Sequence, residues 1–286
     1  MSEYLLPVDK AQLHVDWVDP LHPSSRSAPP LLILHGGPGA DSRYLRPQLD
    51  ELANLGSGRR IYFYDQRGAD RSPQVSGEDP PSVAVHVSDV DAVRRLMSVD
   101  KMQLLGYSWG ALLAMLYATR HPQQVERLVL LSPAPPTAEV RQEYQRRMAE
   151  AMQRPTVLAL REEFQQRKDS LSAEEQKRFR FALAVTPYFV EPRRALELTP
   201  FLVKQRLEEA IWNSLGPAFD LRPKLAELSH IPTLVIHGEQ DVIPLASAQE
   251  TAQLIGAELV RLSDCGHVPY IEAQTELWAA LTRFLG

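Results

Sequence analysis

Near the middle of the chain stands Gly106-Tyr107-Ser108-Trp109-Gly110, between an apolar, strand-like run at residues 102–105 and a helix-like run at residues 111–120. Its serine therefore falls on a strand-to-helix turn. The residues two before and two after such a serine must be small because the two backbones crowd there, and both are glycines. The turn also places Ser108 at a helix N-terminus, where free N–H groups, including that of Trp109, can stabilise an oxyanion. We interpret Ser108 as a nucleophile.

Strand-like and helix-like segments alternate on both sides of this turn. The apolar runs lie at residues 31–34, 61–64, 102–105 and 128–131, and the helix-like stretches between them at residues 44–55, 83–97 and 112–120. This alternation predicts an α/β fold with a parallel sheet covered by helices. An alternating apolar pattern at residues 13–17 predicts the edge strand that opens the sheet.

The alternation stops after residue 135. Residues 136–223 are rich in charged, helix-like stretches and contain no convincing strand. The earlier pattern then resumes, with strands at residues 233–236 and 258–262 and helices at residues 245–254 and 275–285. We therefore predict a core domain formed by residues 1–135 and 224–286, with a helical cap inserted at residues 136–223.

Composition limits the classes of partner. The 286 residues are 44% apolar, which is enough for one large α/β domain with an insertion. Thirty-one basic and 36 acidic side chains give a net charge of −5 without a basic block, which argues against nucleic acid and anionic membranes as partners. The longest apolar stretch is far too short to span a bilayer. A single cysteine, Cys265, and the absence of signal-peptide features in residues 1–10 predict a cytoplasmic protein.

A serine nucleophile needs a general base, and the base needs an orienting carboxylate. Asp241 follows the strand at residues 233–236, and His267 follows the strand at residues 258–262. Because both loops lie at the carboxyl ends of strands, they share the sheet edge of Ser108. Serine, aspartate and histidine also stand in an order known for such triads in α/β chains. We predict a catalytic triad of Ser108, Asp241 and His267.

Two of these assignments have alternatives. Asp241 could instead cap the helix at residues 245–254, with Glu239 acting as the acid. His237 is the rival of His267, although a Gly-His pair on a loop suits the base better. No pair of histidines has the spacing of metal ligands, so the sequence predicts neither a metal nor a cofactor.

The second oxyanion donor should come from the loop after an early strand. The sequence His35-Gly36-Gly37-Pro38-Gly39 follows the strand at residues 31–34, and its glycines let backbone N–H groups turn toward the nucleophile. Our choice is the N–H of Gly37, with Gly36 as the alternative. Together with the N–H of Trp109 it would form the oxyanion hole.

These motifs, together with Asp65-Gln66-Arg67-Gly68 and the Arg71-Ser72 that follows it, resemble those of the α/β-hydrolase superfamily, and within it the prolyl iminopeptidase group. The resemblance extends over nearly the whole chain. It implies a mostly parallel, twisted sheet of about eight strands with helices on both faces, a helical cap over the site and no cofactor. It also implies a small-molecule or short-peptide substrate, from which an N-terminal residue, typically proline, is removed.

In that group, glutamates of the cap hold the free amine of the substrate. Here no carboxylate stands just before the aromatic pair Tyr188-Phe189 or just after Trp212-Asn213. The residues that could bind substrate instead are Tyr188, Phe189, Trp212, Glu191, Glu208 and Glu209. Without an amine site, the same triad would suit a carboxylic ester or lactone. A non-catalytic binding protein is a third interpretation, which the complete triad disfavours.

Overall fold

Eight strands form one sheet in the computed structural model, which describes residues 2–22, 28–56, 58–74 and 79–286. Their bounds are β1 (Ser2–Val8), β2 (Ala11–Val18), β3 (Leu31–Leu34), β4 (Ile61–Tyr64), β5 (Met102–Tyr107), β6 (Val125–Leu131), β7 (Thr233–Gly238) and β8 (Glu258–Leu262). The spatial order is β1-β2-β4-β3-β5-β6-β7-β8. β1 and β2 pair antiparallel with each other, β2 pairs antiparallel with β4, and every other pairing is parallel.

The sheet begins one strand earlier than the sequence predicted. β1 lies outside β2 at the edge, so the strand expected to open the sheet is its second. β1 lacks a clear alternating pattern: Tyr4 and Leu5 are adjacent and both are about half exposed. Pro7 within β1 is tolerated because an edge strand leaves N–H groups unpaired.

Ten α-helices accompany the strands in the described part of the chain. They are α1 (Val83–Leu96), α2 (Trp109–Arg120), α3 (Ala138–Ala151), α4 (Pro155–Arg167), α5 (Ala173–Val185), α6 (Gln205–Ser214), α7 (Arg222–Leu225), α8 (Leu245–Ile255), α9 (Pro269–Glu272) and α10 (Gln274–Leu285). The helix predicted at residues 44–55 is wrong as a single element. Two 3₁₀ helices, Ser42–Leu45 and Gln48–Asn54, stand there, because Pro47 lacks the N–H that a continuous helix needs.

Both faces of the sheet are covered. In β3, Leu32 and Leu34 pack with α1, α2 and α8, while Leu31 and Ile33 pack with the 3₁₀ helices at residues 42–54 and with α10. All four side chains are fully buried. A strand buried on both faces has a continuous apolar sequence, which is why the central strands were recognisable from the sequence. The mostly parallel sheet with helices on both faces is confirmed.

Between β6 and β7, where every residue is described, the chain forms helices and no strand. The two ends of this insertion meet: the N–H of Ala138 donates to the carbonyl of Phe219, and the N–H of Leu221 donates to that of Pro136. We call residues 137–221 the helical insertion. It reaches back over the sheet edge, where Phe201 lies 4.4 Å from Tyr44 between ring centroids. In the described chain, no helix combines the length and apolar character needed to cross a bilayer.

Candidate active site

Ser108 stands between the last residue of β5 and the first residue of α2. Its backbone angles are φ 54° and ψ −120°, a strained conformation for a residue with a side chain. A Cβ on Gly106 would lie 2.3 Å from the carbonyl oxygen of Gly110, and a Cβ on Gly110 would lie 2.1 Å from that of Leu34. The crowding that required small residues in the motif is therefore present.

The structure brings Ser108, His267 and Asp241 together. His267 Nε2 lies 2.9 Å from Ser108 Oγ, and His267 Nδ1 lies 2.8 Å from Asp241 Oδ2. A carboxylate only accepts, so Nδ1 carries the proton and Nε2 is left to accept from the serine hydroxyl. The other oxygen of Asp241 accepts from the N–H of Ile243 at 2.8 Å. Both Asp241 and His267 are buried.

The carboxylate of Asp241 is held in its ionised form. Burial by itself raises its pKa, but attraction to His267 and His237, with the hydrogen bonds from His267 and from the N–H of Ile243, brings the pKa below its ordinary value. A charged Asp241 fixes the orientation of the imidazole and would stabilise an imidazolium.

The rival residues occupy other positions. His237 is fully buried in β7 and its Nε2 bonds to the carbonyl of Ile243 at 3.0 Å, so it faces Asp241 rather than the serine. Burial lowers the pKa of His237. Glu239 pairs with Arg261 at 2.6 Å on the surface. Neither takes part in the hydrogen-bonded set around Ser108.

Aromatic side chains and a carboxylate hold His267 in place. Its ring lies between Tyr107 and Tyr188, with centroids 5.3 and 5.0 Å away. The hydroxyl of Tyr107 donates to the His267 carbonyl at 3.0 Å, and the His267 N–H donates to the Tyr188 carbonyl at 2.7 Å. Glu272 accepts from the N–H of Gly266 at 2.8 Å. The helical insertion therefore helps to position the base through Tyr188. Tyr107 and Glu272 help from outside the insertion, a role that no local sequence pattern indicates.

The loop after β3 offers one free N–H to the nucleophile. The N–H of Gly36 donates to the hydroxyl of Tyr44 at 2.7 Å and is therefore occupied. The N–H of Gly37 has no acceptor among the described residues. Trp109 is the first residue of α2, so its N–H has no intrahelical acceptor. A Cβ on Gly36 would lie 2.9 Å from Ser108 Cβ, which places this loop directly against the serine.

Gln66 joins the two sides of this arrangement. Its Oε1 accepts from Trp109 Nε1 at 2.9 Å, and its Nε2 donates to the His35 carbonyl at 2.7 Å. Its backbone N–H donates to His35 Nε2 at 3.0 Å, so His35 Nδ1 carries the proton and donates to the Gly36 carbonyl at 2.9 Å. Burial lowers the pKa of His35, which keeps the ring neutral. The Gly36 carbonyl and the Gly37 N–H belong to one peptide plane, so this chain of bonds fixes the direction of that N–H.

We expect Gln66→Leu to lower kcat about 10- to 100-fold with little change in KM, because it loosens oxyanion donors without touching substrate. Steady-state kinetics of Gln66→Leu, Trp109→Phe and the double variant would measure this. The two losses should be less than additive, since both remove the same bond. A fall in melting temperature with kcat unchanged would show that Gln66 only supports the fold.

Ser108 opens into a cavity of about 220 Å³ under the helical insertion. Its wall is largely aromatic, with Tyr44, Tyr144, Tyr188, Phe201 and Trp212. Glu208 supplies the one carboxylate among the described residues that line it. In the part of the chain that the structure describes, no three His, Cys, Asp or Glu side chains are grouped as metal ligands would be.

The candidate substrate-binding residues divide into two groups. Tyr188, Trp212 and Glu208 line the cavity. Phe189, Glu191 and Glu209 do not line it, so the structure does not bring these three residues to this cavity.

Each of the three residues that do not line the cavity lies in a different environment. Phe189 is buried in the hydrophobic core. Glu191 is exposed and caps the 3₁₀ helix Pro192–Glu197. Glu209 is exposed and accepts from Gln205 at 3.1 Å. A helix turns about 100° per residue, so Glu208 faces the Ser108 cavity while Glu209 faces away from it. The four-residue spacing from Glu208 to Trp212, which puts both on one face, is the signal that distinguishes Glu208.

The chain is similar to known proteins over most of its length. The chain is 27% identical over 276 residues to a proline iminopeptidase of Lactobacillus delbrueckii subsp. bulgaricus, covering 90% of this chain and 89% of that protein. It is 29% identical over 276 residues to a proline iminopeptidase of Lactobacillus helveticus, covering 90% of each.

Solved structures show the same fold. A proline iminopeptidase-related protein from Thermus thermophilus superimposes with a TM-score of 0.74 at 26% identity, over 100% of this chain and 98% of that one. The proline iminopeptidase of Mycobacterium smegmatis superimposes with a TM-score of 0.73 at 19% identity, over 99% and 97%. A family model described as "alpha/beta hydrolase fold" matches residues 29–274. The chain belongs to the α/β-hydrolase family.

Proposed function

We propose that this hydrolase is a cofactor-independent serine hydrolase of the proline iminopeptidase type, which removes an N-terminal residue from small peptides. The observation that carries the proposal is the hydrogen-bonded chain Ser108–His267–Asp241 at the floor of a cavity that holds a single carboxylate, Glu208, among the described residues of its lining. Similarity to proteins named proline iminopeptidase supports the choice of substrate class.

In the first half of the reaction, Ser108 Oγ attacks the carbonyl carbon of the scissile peptide bond while His267 Nε2 takes the hydroxyl proton. The carbonyl oxygen becomes an oxyanion, which accepts from the N–H groups of Gly37 and Trp109. Asp241 stabilises the imidazolium. His267 then protonates the leaving nitrogen, the C–N bond breaks and an acyl-enzyme remains. Water hydrolyses the acyl-enzyme in the second half, with His267 again the base.

Glu208 would bind the free amine of the substrate. Its carboxylate forms no ion pair or hydrogen bond with any described residue, and burial raises the pKa of this group although Arg141 partly opposes the shift. An ammonium group entering the cavity would supply the missing partner and favour the ionised carboxylate. The aromatic wall would cover the apolar part of the N-terminal residue.

We expect Glu208→Gln to lower kcat/KM for proline p-nitroanilide by about 30-fold or more, because a buried charge pair is often worth about 2 to 5 kcal/mol in recognition. Rates would be measured with the proline amine free and acetylated, with Ser108→Ala as background. The matched control is Glu209→Gln, one residue along the same helix and exposed, which should match the wild type.

Cleavage confined to the free-amine substrate, and dependent on Glu208, supports the iminopeptidase. If neither nitroanilide is cleaved while a p-nitrophenyl ester is turned over by Ser108, the substrate is instead a carboxylic ester or related acyl compound with the same triad. If the free and acetylated substrates react equally, Glu208 has no part in amine recognition.

A further inference from the structure

Arg141 of α3 lies behind one wall of the Ser108 cavity. Its guanidinium carbon stands 4.5 Å from the ring centroid of Trp212. Trp212 in turn packs edge to face on Trp109, the residue after the nucleophile, with centroids 5.1 Å apart. The indole of Trp212 is therefore the one ring that lies between the guanidinium and Trp109 of the nucleophile turn. Such stacking fixes a guanidinium plane while leaving its N–H edges free.

The guanidinium donors of Arg141 have no acceptor among the described residues. Among the arginines that the structure describes, three have side chains that form no hydrogen bond or ion pair: Arg120, Arg141 and Arg206. Arg120 and Arg206 are exposed and can be solvated, whereas Arg141 is half-buried. Burial lowers the pKa of Arg141, although the group stays charged at neutral pH. A partly desolvated guanidinium with five unused donors is suited to an anion.

Those donors border a second cavity, of about 450 Å³, which we call the Arg141 groove. Trp212 lines both this groove and the Ser108 cavity, so the two adjoin at this side chain. Arg141 is the one charged side chain among the described residues that line the groove, and no carboxylate lines it. The amides of Gln142, Gln145 and Asn213 complete its polar surface. The groove therefore presents net positive charge and additional donors.

The two cavities carry opposite charges. Glu208 faces the Ser108 cavity and Arg141 faces the Arg141 groove. The two side chains attract each other but form no ion pair, so each keeps its capacity for an outside partner. A ligand with an ammonium at one end and a carboxylate at the other matches this pair of sites.

We propose that Arg141 binds a carboxylate on the leaving part of the substrate, so that the enzyme favours short zwitterionic peptides over blocked ones. This rests on the proposed peptidase function. The carboxylate would be the C-terminus of a dipeptide or the side chain of its second residue, and the guanidinium would pair with it through parallel N–H donors.

The test compares kcat/KM for prolyl-alanine, prolyl-alanine amide and prolyl-glutamic acid α-amide. The wild type should favour the free acid over the alanine amide about tenfold or more. Arg141→Met, which keeps an unbranched chain on Trp212, should remove the preference by lowering the free-acid rate alone. The unchanged amide rate shows that the variant is folded. Arg206→Met, which removes an exposed and equally unpaired charge, should behave as the wild type.

The glutamyl amide identifies the source of the carboxylate: a rate near that of the free acid means that a side-chain carboxylate also reaches Arg141. Equal rates for acid and alanine amide in the wild type, or a preference that survives Arg141→Met, would overturn the inference and leave the peptidase function standing. Failure to cleave any of the three peptides, with Ser108-dependent ester hydrolysis intact, would reject the peptidase function itself and the inference with it.

Discussion

Ser108→Ala is expected to lower kcat for proline p-nitroanilide about a million-fold, the loss seen when a serine protease loses its nucleophile. The reason is geometric: Ser108 Oγ is 2.9 Å from His267 Nε2, and Ser108 lines the same cavity as Gly37 and Trp109, whose N–H groups have no acceptor among the described residues. Without Oγ no acyl-enzyme forms. The oxyanion hole and the cavity would still support a small residual rate above that in water.

Labelling by a fluorophosphonate gives an independent readout, because the probe reacts with the activated serine whatever the natural substrate is. The wild type should be labelled once per chain and Ser108→Ala not at all. Ser132 offers a matched control, since it is buried just after β6 and its hydroxyl has no partner among the described residues. Ser132→Ala should be labelled at the wild-type rate, whereas labelling of Ser108→Ala at that rate would rule out Ser108 as the nucleophile.

The sequence predicted the residues that the structure brings around Ser108, because those residues depend on local patterns. Each is placed by an apolar strand followed directly by a loop, and parallel strands carry such loops to one edge of the sheet. Asp241 and His267 follow β7 and β8 in this way. The fold class followed from the same signal, since buried parallel strands are short, continuous apolar runs.

The features that escaped prediction depend on contacts between distant parts of the chain. β1 is recognisable only through its pairing with β2, since its own side chains are largely exposed. Gln66 belongs to the motif Asp65-Gln66-Arg67-Gly68, yet its role arises from hydrogen bonds to distant residues. Trp109 is 43 positions away in the sequence and His35 is 31 positions away. Which of the neighbours Glu208 and Glu209 faces the cavity depends on the orientation of α6, which the sequence alone does not give. Arg141 differs from the other charged residues of the insertion in that its half-buried guanidinium has no acceptor among the described residues, and no sequence pattern indicates this.

Asp241→Asn is expected to lower kcat about ten-thousand-fold, the second largest effect that the structure implies. The carboxylate accepts from His267 Nδ1 at 2.8 Å, and its other oxygen accepts from the N–H of Ile243 at 2.8 Å. Asparagine can keep the bond to Ile243 with its carbonyl, but it then presents an NH₂ group to Nδ1. That donor favours the tautomer with the proton on Nε2, which cannot accept from Ser108.

Kinetics of the Asp241 variant should therefore show a loss in kcat with substrate binding kept, since Asp241 lies outside the cavity. The matched control is Glu239→Gln, which removes the carboxylate of the alternative acid. Glu239 pairs with Arg261 at the surface, so that variant should retain activity within about twofold. A large loss in Glu239→Gln with Asp241→Asn nearly active would reverse the assignment of the acid. Attraction to two histidines keeps the pKa of Asp241 below its ordinary value, so the wild-type carboxylate is ionised at neutral pH.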